Sequence, residues 1–394
     1  MAELVFWTAA SLLFHTYVFY PFLMVALEAV HQVLSDIRFM RSGMDRRVVL
    51  EEEALPTISL VVAAHNEAQC IAEKIRNSLA LDYPPEKLQL LIGSDGSDDG
   101  TDEIVRSFSD PRVVLVSVPR AGKASVLNRC VPLASGQLVV FSDANTVIDP
   151  QALRMLARHF DDSDVGAVCG RLKLIDPIRR DFEESTYWRY ESLIKYFEGK
   201  RGAVVGANGG LYAIRRRLFS ALPSDTIVDD FVIALRVLDE RFRVVYDPQA
   251  IAIEETTGDY RLEFKRRARI AAGNFQSLRM FPWLLSPTAG FRAFALWSHK
   301  VLRWLAPALM AIAFLANLML LDGTRYRLLL AAQVLFYALA LAGSRGVFTG
   351  TLRRAASIAY YFVTMNWAIV VGFWRFIRHR QQAAWERTVR STAP

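Results

Sequence analysis

Carboxylates occur in three short clusters whose residue types suit metal-assisted group transfer. The clusters are Asp95-Gly-Ser-Asp-Asp-Gly100, Ser142-Asp-Ala-Asn145 and Val228-Asp-Asp-Phe231. Carboxylate oxygens bind Mg²⁺ or Mn²⁺ beside phosphate groups, and they also take protons from hydroxyl groups. Metal binding, nucleotide binding and general-base catalysis are therefore the chemistries that these clusters suggest.

The run that begins at Asp95 could bind a metal, or it could hydrogen-bond the base and ribose of a nucleotide. A calcium loop of the EF-hand type needs a bidentate acid at its twelfth position. Counted from Asp95, that position is Arg106, so the calcium loop is excluded. A solvated turn remains the alternative to a nucleotide or metal site.

Asp143 and Asn145 follow an apolar run and form a candidate metal pair. A Mg²⁺ or Mn²⁺ ion that bridges a diphosphate needs only one or two protein ligands. We expect Asp143 to be the strong ligand, and Asn145 to be a weaker neutral ligand or to contact substrate through water. An ordinary surface turn explains the pair equally well.

Asp229 and Asp230 precede the apolar run Phe231–Leu238, which predicts a helix. Acids in a first helical turn stabilise the helix, so capping is one interpretation. In the functional interpretation, one of the two is a general base that deprotonates an acceptor hydroxyl.

Basic residues and glycines provide further candidates. The cluster Lys265-Arg-Arg-Ala-Arg269 could clamp a diphosphate, or it could be the cytoplasmic flank of a membrane helix. Lys123 is a second candidate for phosphate contact, although no Walker-type glycine loop surrounds it. The adjacent glycines of Asn208-Gly-Gly210 would let a sugar approach the backbone, or they form an ordinary loop.

The elements that must position these residues alternate between strand and helix. We predict a helix over 68–79 and strands over 58–64, 88–92, 113–118 and 138–141. This alternation indicates an α/β domain with a mostly parallel sheet. Each polar cluster follows a strand at its carboxyl end, where open α/β sheets bind ligands.

Long apolar runs flank this domain on both sides. They are 4–30, 305–321, 328–342 and 356–374, and the aromatic and basic segment 287–304 predicts an interfacial helix. Arg38, Arg41, Arg46 and Arg47 follow the first run, so the next domain is expected in the cytosol. The predicted organisation is an N-terminal membrane helix, a basic linker, a catalytic domain, interfacial and membrane helices, and a basic tail (1–33, 34–55, 56–286, 287–376 and 377–394).

The tail presents a topological conflict. Three full tail spans would place the C-terminus outside the cytosol, whereas its many arginines favour the cytosolic side. One of the three runs would therefore be re-entrant or interfacial. The formal net charge of +7 lies largely beside apolar runs, which favours an anionic lipid surface over nucleic acid as partner. The three cysteines have no metal-binding spacing and predict free thiols in a reducing compartment.

The order of these clusters and their membrane context resemble family 2 glycosyltransferases of the GT-A fold, which has a Rossmann-like nucleotide-sugar-binding domain. The similarity is to the membrane branch that includes cellulose, hyaluronan, chitin-oligosaccharide and poly-N-acetylglucosamine synthases. It covers about residues 56–276. The motifs that carry it are His65-Asn-Glu67, Asp95–Gly100, Arg120-Ala-Gly-Lys123, Asp143-Ala-Asn145, Gly206-Ala-Asn-Gly-Gly210, Val228-Asp-Asp230 and Arg266-Arg-Ala-Arg269.

The resemblance implies a role for each motif. Glu67 and Asp95 would hold the nucleoside, while Asp143 and Asn145 would hold Mg²⁺ or Mn²⁺. Asp230 would be the catalytic base.

The remaining matches complete the implied site. Asp229 occupies the position where this family usually has Glu. Lys123, Arg266 and Arg269 would contact the diphosphate. Asn208 and Gly209 would face the acceptor.

Two departures from the family pattern bear on the activity. Asn145 replaces the second acid of the metal motif, which would weaken metal affinity. Arg266 and Ile270 replace the Gln and Trp of the processive motif, in which the Trp stacks on the acceptor sugar. Single-sugar addition therefore becomes an alternative to polymer synthesis.

The resemblance predicts an inverting glycosyltransferase in polysaccharide or exopolysaccharide biosynthesis. It would move a sugar from a nucleotide-diphosphate donor, expected to be a UDP-sugar, to a glycan or lipid-linked acceptor at the cytoplasmic face of the inner membrane. One alternative is a non-processive transferase that adds one sugar to a polyprenyl-linked oligosaccharide. An alternative of another class is a catalytically silent membrane scaffold, but this would predict a broken set of acids, whereas Asp95, Asp143 and Asp230 are all present.

Overall fold

The structure, a computed structural model, describes residues 1–42, 54–175, 186–255 and 260–381. These residues divide into two units. The helical unit comprises Met1–Leu23, Asp259–Phe275 and Leu296–Gln381. The sheet unit comprises the described residues within Met24–Gly258 and Gln276–Ala295. Most of the acids singled out by the sequence lie in the sheet unit.

The sheet unit is built around eight strands. They are β1 Ile58–Ala64, β2 Leu88–Asp95, β3 Val113–Val118, β4 Leu138–Asp143, β5 Val147–Ile148, β6 Val165–Ile175, β7 Tyr212–Arg215 and β8 Arg243–Glu255. Their order across the sheet is β3-β2-β1-β4-β7-β6-β8-β5. Every residue of β1 is buried, and β1 pairs in parallel with both β2 and β4, as expected for an interior strand of an α/β sheet.

Helices connect the strands and continue into the helical unit. They are α1 Ala2–Phe14, α2 Tyr20–Ser42, α3 Ile71–Leu79, α4 Thr101–Arg106, α5 Lys123–Cys130, α6 Ala152–Ala157, α7 Thr186–Lys200, α8 Asp229–Asp239, α9 Tyr260–Leu278, α10 Pro282–Leu285, α11 Phe291–Ala295, α12 Leu302–Leu318, α13 Thr324–Ser344 and α14 Gly350–Ile377. A π-helical segment, His15–Phe19, joins α1 to α2, and another, Leu296–Val301, joins α11 to α12.

The sheet differs from the sequence-based expectation in its second half. All four predicted strands form, and β2 and β4 extend as far as Asp95 and Asp143. The sheet is mixed, however, because β7 runs antiparallel to both β4 and β6. The two longest strands, β6 and β8, were not predicted. Their pairing shifts register near Gly170, and β8 contains Pro248 beside this shift, so neither strand has a continuous alternating pattern.

Among the residues that the structure describes, four helical stretches are long and apolar enough to cross a membrane: Ala2–Ile37, Phe291–Leu318, Thr324–Ser344 and Gly350–Ile377. The segment expected as a separate interfacial helix is therefore continuous, from Phe291, with the first tail span. The N-terminal helix also continues to Ser42, beyond the predicted end of the membrane segment. Residues 46, 47 and 382–394, which hold part of the predicted basic flanks, lie outside the described residues. The domain limits, the re-entrant run and the membrane orientation stay predictions.

Close packing of α5 on β2 depends on a glycine. A Cβ atom at Gly93 would overlap Val126 Cγ1 and lie 2.7 Å from Cys130 Sγ. Both partners are buried on α5, which begins at Lys123. The absence of a side chain at Gly93 therefore sets how closely the helix that carries Lys123 approaches the sheet.

Gly93→Ala should destabilise the protein by about 1–3 kcal/mol, because the added methyl group overpacks this contact. Thermal unfolding of the purified protein in detergent measures the effect. Arg129→Ala, on the exposed side of the same helix, is the control and should leave the melting temperature nearly unchanged. Equal melting temperatures for Gly93→Ala and the unsubstituted protein would contradict the packing argument.

Candidate active site

Lys123 connects two of the acidic clusters. Its Nζ lies 2.9 Å from Asp143 Oδ1 and 3.2 Å from Asp229 Oδ2. Lys123 begins α5, Asp143 ends β4 and Asp229 begins α8. The fold therefore brings together three positions that are far apart in the sequence around one ammonium group.

Gly209 lies between the two acids to which the sequence assigned metal binding and base catalysis. A Cβ at Gly209 would be 3.3 Å from Asp143 Oδ2 and 3.4 Å from Asp230 Oδ2. The antiparallel pairing of β4 and β7 causes this approach, because it brings the end of β4 to the loop before β7. A hydrogen bond of 2.8 Å from Ser142 Oγ to the Gly210 carbonyl joins the two turns.

The charges in this cluster change the proton affinities of its members. Burial and the neighbouring carboxylates of Asp229 and Asp143 raise the pKa of Asp230, while Lys123 lowers it, and together these effects bring it to about 6. Burial alone would lower the pKa of Lys123, but Asp143, Asp229 and Asp230 raise it above its usual range. Lys123 is therefore a permanent cation, and Asp230 titrates close to neutral pH.

Asp95 lies beneath the loop that leads to Lys123. Its side chain is fully buried, and Arg120 Nη1 donates to its Oδ2 at 2.8 Å. The backbone N–H groups of Ala121 and Gly122 donate to its Oδ1 at 2.7 and 3.0 Å. The expected contact of Asp95 with a nucleoside stays a prediction. In the structure its carboxylate fixes the turn before α5.

The loop that contains Glu67 is held by the acidic loop after β2. The Glu67 N–H donates to Thr101 Oγ1 at 2.9 Å, and the Ala68 N–H donates to Asp99 Oδ2 at 3.1 Å. Asn66 has a φ of 55°, a left-handed conformation that Asn tolerates better than most residues. Glu67 and the acidic loop thus lie side by side at the carboxyl ends of β1 and β2.

Asn145 and Asn208 each have a charged partner that the sequence analysis did not identify. Asn145 Nδ2 donates to Glu254 Oε1 at 3.1 Å, so a carboxylate from β8 lies beside the incomplete metal motif. Asn208 Oδ1 accepts from the buried Lys195, and its Nδ2 donates to the Gly170 carbonyl at 3.0 Å. Both amides are therefore fixed in orientation.

Arg266 and Arg269 lie on α9, within the helical unit. Arg266 Nε is 2.9 Å from Glu263 Oε2, and the side chain of Arg267 contacts the same carboxylate. The end of α9 belongs to the sheet unit, where Gln276 Oε1 accepts from the Ile227 N–H at 3.2 Å. Gln276 thereby supports the segment just before Asp229. The assignment of Arg266 and Arg269 to the diphosphate stays a prediction.

The donor set suits a divalent ion that shares its coordination with substrate. Within the described ranges, no three His, Cys, Asp or Glu side chains are grouped to hold a metal by themselves. The carboxylates of Asp143, Asp229 and Asp230 nevertheless lie together around Lys123 and Gly209. Asp143 therefore fits as one ligand of an Mg²⁺ or Mn²⁺ ion whose other ligands are phosphate and water oxygens.

Sequence reasoning missed Lys74, Lys195, Glu254 and Gln276. A signal existed for Lys74, because the buried stripe of α3 consists of Ile71, Lys74, Ile75 and Ser78, and a lysine within such a stripe is unusual. Lys195, Glu254 and Gln276 had no comparable signal, because each meets its partner only through tertiary contacts.

A model of the family described as "Glycosyl transferase family 2" matches residues 59–222, which include Lys123, Asp143 and Gly209. This part of the chain is therefore similar to family 2 glycosyltransferase domains. The match ends before Asp229 and Asp230, so it does not cover the second acid pair.

Known proteins similar to this chain agree with the family and the fold. A probable glycosyltransferase, YdaM, from Bacillus subtilis (strain 168) is 25% identical over 235 residues, covering 56% of both chains. A poly-beta-1,6-N-acetyl-D-glucosamine synthase from Staphylococcus aureus (strain COL) is 26% identical over 281 residues, covering 67% of this chain and 66% of the relative. The matches thus span about half to two thirds of the relatives' lengths, and they relate the glycosyltransferase domain to polysaccharide synthases.

One solved structure shows the same GT-A fold. The mannosyltransferase PcManGT from Pyrobaculum calidifontis, in complex with GDP-Man and Mn²⁺, has a TM-score of 0.59 and 23% identity. The match covers 89% of this chain and 98% of the mannosyltransferase. The expected α/β fold with a GT-A domain and flanking apolar helices is therefore confirmed.

Asp95→Asn should lower the free energy of unfolding by about 3 kcal/mol, because it weakens a buried, charge-assisted network at the Arg120–Gly122 turn. Thermal denaturation is the measurement. Asp98→Asn, the same change at an exposed position of the same loop, is the matched control and should have little effect. Equal losses in the two variants would show that the buried carboxylate does not organise this turn.

Proposed function

We propose that this protein is a metal-dependent inverting glycosyltransferase that moves a sugar from a nucleotide-diphosphate donor to a glycan acceptor. The supporting observation is the placement of two carboxylates, on Asp143 and Asp230, within 3.4 Å of one point at Gly209, with Lys123 bound to Asp143. Two carboxylates placed this close together can act on one bound sugar, one through a metal–diphosphate group and the other by accepting a proton. The catalytically silent scaffold offers no reason for such convergence.

Asp230 is the base in this proposal. Its carboxylate takes the proton from an acceptor hydroxyl while that oxygen forms a bond to the anomeric carbon of the donor sugar. The bond from the anomeric carbon to the diphosphate oxygen breaks, and its electron pair leaves with the nucleoside diphosphate. Since the attack comes from the face opposite the leaving group, the anomeric configuration inverts. A pKa of about 6 keeps Asp230 mostly ionised at neutral pH while leaving it basic enough to accept a proton.

Lys123 stabilises the leaving diphosphate. Its ammonium is held by Asp143 and Asp229, so it is positioned before substrate arrives and needs no reorganisation. A divalent ion held by Asp143, with Asn145 beside it, would neutralise further charge that develops on the diphosphate. Arg266 and Arg269 are proposed as additional diphosphate contacts.

The donor and acceptor would bind on either side of this charge cluster. Glu67 and the loop fixed by Asp95 are proposed to hold the nucleoside, for which a UDP-sugar is our first choice. Asn208 and Gly209 would face the acceptor. Because Lys195 and the Gly170 carbonyl already fix the amide of Asn208, this residue would shape the acceptor pocket more than it would donate to the sugar.

The acceptor is proposed to be a growing polysaccharide at the cytoplasmic face of the inner membrane. The similarity to a poly-beta-1,6-N-acetyl-D-glucosamine synthase and the four span-length helices support this proposal. Addition of one sugar to a polyprenyl-linked oligosaccharide is the second candidate, and it is favoured by Arg266 and Ile270 at the positions of the processive Gln and Trp. Product length on a gel separates the two.

The proposal predicts release of nucleoside diphosphate from one member of a panel of UDP- and GDP-sugars in the presence of Mn²⁺ or Mg²⁺. Chelation should abolish the release. Asp230→Asn should lower kcat by about 10²–10⁴, because the general base is lost. The matched control is Asp239→Asn, at the other end of α8, which should retain activity.

Two results would contradict the proposal. The first is the absence of turnover with every donor, even when membrane lipid extract is added as a source of acceptor. The second is full activity of Asp230→Asn, which would remove Asp230 as the base while leaving a glycosyltransferase assignment intact.

The pH profile provides an independent test of the base. Because Asp230 must be ionised to accept a proton, kcat/KM should rise with pH and level off above about 6. Lys123 lowers the pKa of Asp230 and Asp229 raises it, so Lys123→Met should move this acidic limb to higher pH and Asp229→Asn should move it to lower pH. Residual activity of each variant, measured from pH 4.5 to about 8, checks the direction. If the acidic limbs of the Lys123→Met and Asp229→Asn profiles moved in the same direction, the assignment of Asp230 as the base would be refuted.

A further inference from the structure

Lys74 is a buried lysine directly behind the metal motif. Only 3% of its surface is exposed, and it lies on the inner face of α3. Its Nζ donates to Ser142 Oγ at 2.7 Å and to the Thr146 carbonyl at 2.6 Å. These acceptors lie immediately before Asp143 and immediately after Asn145, so one ammonium group holds both ends of the turn between them.

Ser142 extends this network to the glycine loop. Besides accepting from Lys74, its hydroxyl donates to the Gly210 carbonyl at 2.8 Å. Lys74 is therefore connected, through one hydroxyl group, to the loop that contains Gly209. The separation between Asp143 and Gly209, which sets the width of the candidate site, depends on this chain of hydrogen bonds.

Burying a lysine without a carboxylate in direct contact is costly, and an apolar residue would pack at this position of α3 at lower cost. Burial lowers the pKa of Lys74 to about 7, although Asp143 and Cys70 oppose the shift. Either protonation state supplies the N–H donors that the two acceptors require. Asn77, also on α3, already connects this helix to β5, because its side chain forms hydrogen bonds with the backbone N–H and carbonyl of Ile148. Stability alone therefore does not account for a lysine at this position.

We propose that Lys74 is a positioning residue, which holds the Asp143–Asn145 turn and the Gly209 loop at the separation required for the metal–diphosphate group. This inference rests on the proposed function. It adds to that function a residue that touches neither substrate nor metal and acts through Ser142 and Thr146.

Lys74→Met tests the proposal, because it keeps the length of the side chain and removes its donors. Ser142→Ala breaks only the link to Gly210. The matched control is Asn77→Ala, which removes the neighbouring clamp on α3 and leaves the Lys74 contacts in place. All three variants are made in the full-length protein, and thermal unfolding verifies that each is folded.

Hydrogen exchange gives a readout that does not require activity. Two backbone N–H groups report on the turns: Thr146, which donates to the Asp143 carbonyl at 3.2 Å, and Leu211, which donates to the Asn208 carbonyl at 3.1 Å. Lys74→Met should accelerate exchange of both by about tenfold or more relative to Asn77→Ala, because both turns lose their anchor. Ser142→Ala should accelerate exchange at Leu211. Unchanged exchange of both amides in folded Lys74→Met would overturn the proposal.

Kinetics and metal binding separate positioning from a structural role. With an active donor, Lys74→Met should lower kcat by at least about tenfold and raise the Mn²⁺ concentration for half-maximal activity, whereas KM for the donor changes less. Free Mn²⁺ measured by electron paramagnetic resonance, with UDP or GDP added, should show weaker Mn²⁺ binding in this variant. Asn77→Ala should lower only the melting temperature. Equal effects of the two variants on kcat and on Mn²⁺ binding would reduce Lys74 to a structural residue.

Failure of the proposed function gives a different result. If the unsubstituted protein releases no nucleoside diphosphate from any donor, the glycosyltransferase proposal fails. If the unsubstituted protein is active and Lys74→Met matches it in kcat, Mn²⁺ dependence and amide exchange, only the role of Lys74 is refuted.

Discussion

The contact of Lys123 with Asp143 and Asp229 is the interaction on which the candidate site depends. It joins the start of α5, the end of β4 and the start of α8, and the outermost two of these, at Lys123 and Asp229, are more than a hundred residues apart in the sequence. Without the ammonium group, three carboxylates in a half-buried position would repel one another. With it, the acids stay close together and Asp143 remains suitable for a metal. The charge balance therefore serves stability and the proposed chemistry together.

Several buried polar groups keep this cluster in place, and most of them contact no substrate in the proposed mechanism. Asp95 fixes the turn that leads to Lys123, and Lys74 fixes the turn that contains Asp143. Such groups are costly to bury and are retained where a precise arrangement matters. The same reasoning gives Asp95 a structural role in addition to its predicted contact with the nucleoside, because its carboxylate accepts hydrogen bonds from Arg120 and two backbone N–H groups.

The structure shows where the residues that depart from the family pattern lie. Asn145 replaces an acid, and its amide donates to Glu254, so negative charge remains next to the metal motif although it comes from a different strand. Arg266 and Ile270 lie on α9 in the helical unit, outside the residues that the family model matches. In the proposed function, these two positions bear on how many sugars are added, whereas Asp143 and Asp230 bear on whether a sugar is transferred.

The sequence by itself determined the α/β class, the first four strands, the apolar helices and the acids of the candidate site. These features depend on local patterns: apolar runs of strand length, and polar residues directly after them. Only the tertiary structure decided the antiparallel β7, the long strands β6 and β8, and the partners Lys74, Lys195, Glu254 and Gln276. Such partners are chosen by contacts between residues distant in the chain, and no local pattern records which buried lysine meets which turn. The sequence thus indicated which groups could do chemistry, while the register of β4 against β7 brought Asp143 and Asp230 to the two sides of Gly209.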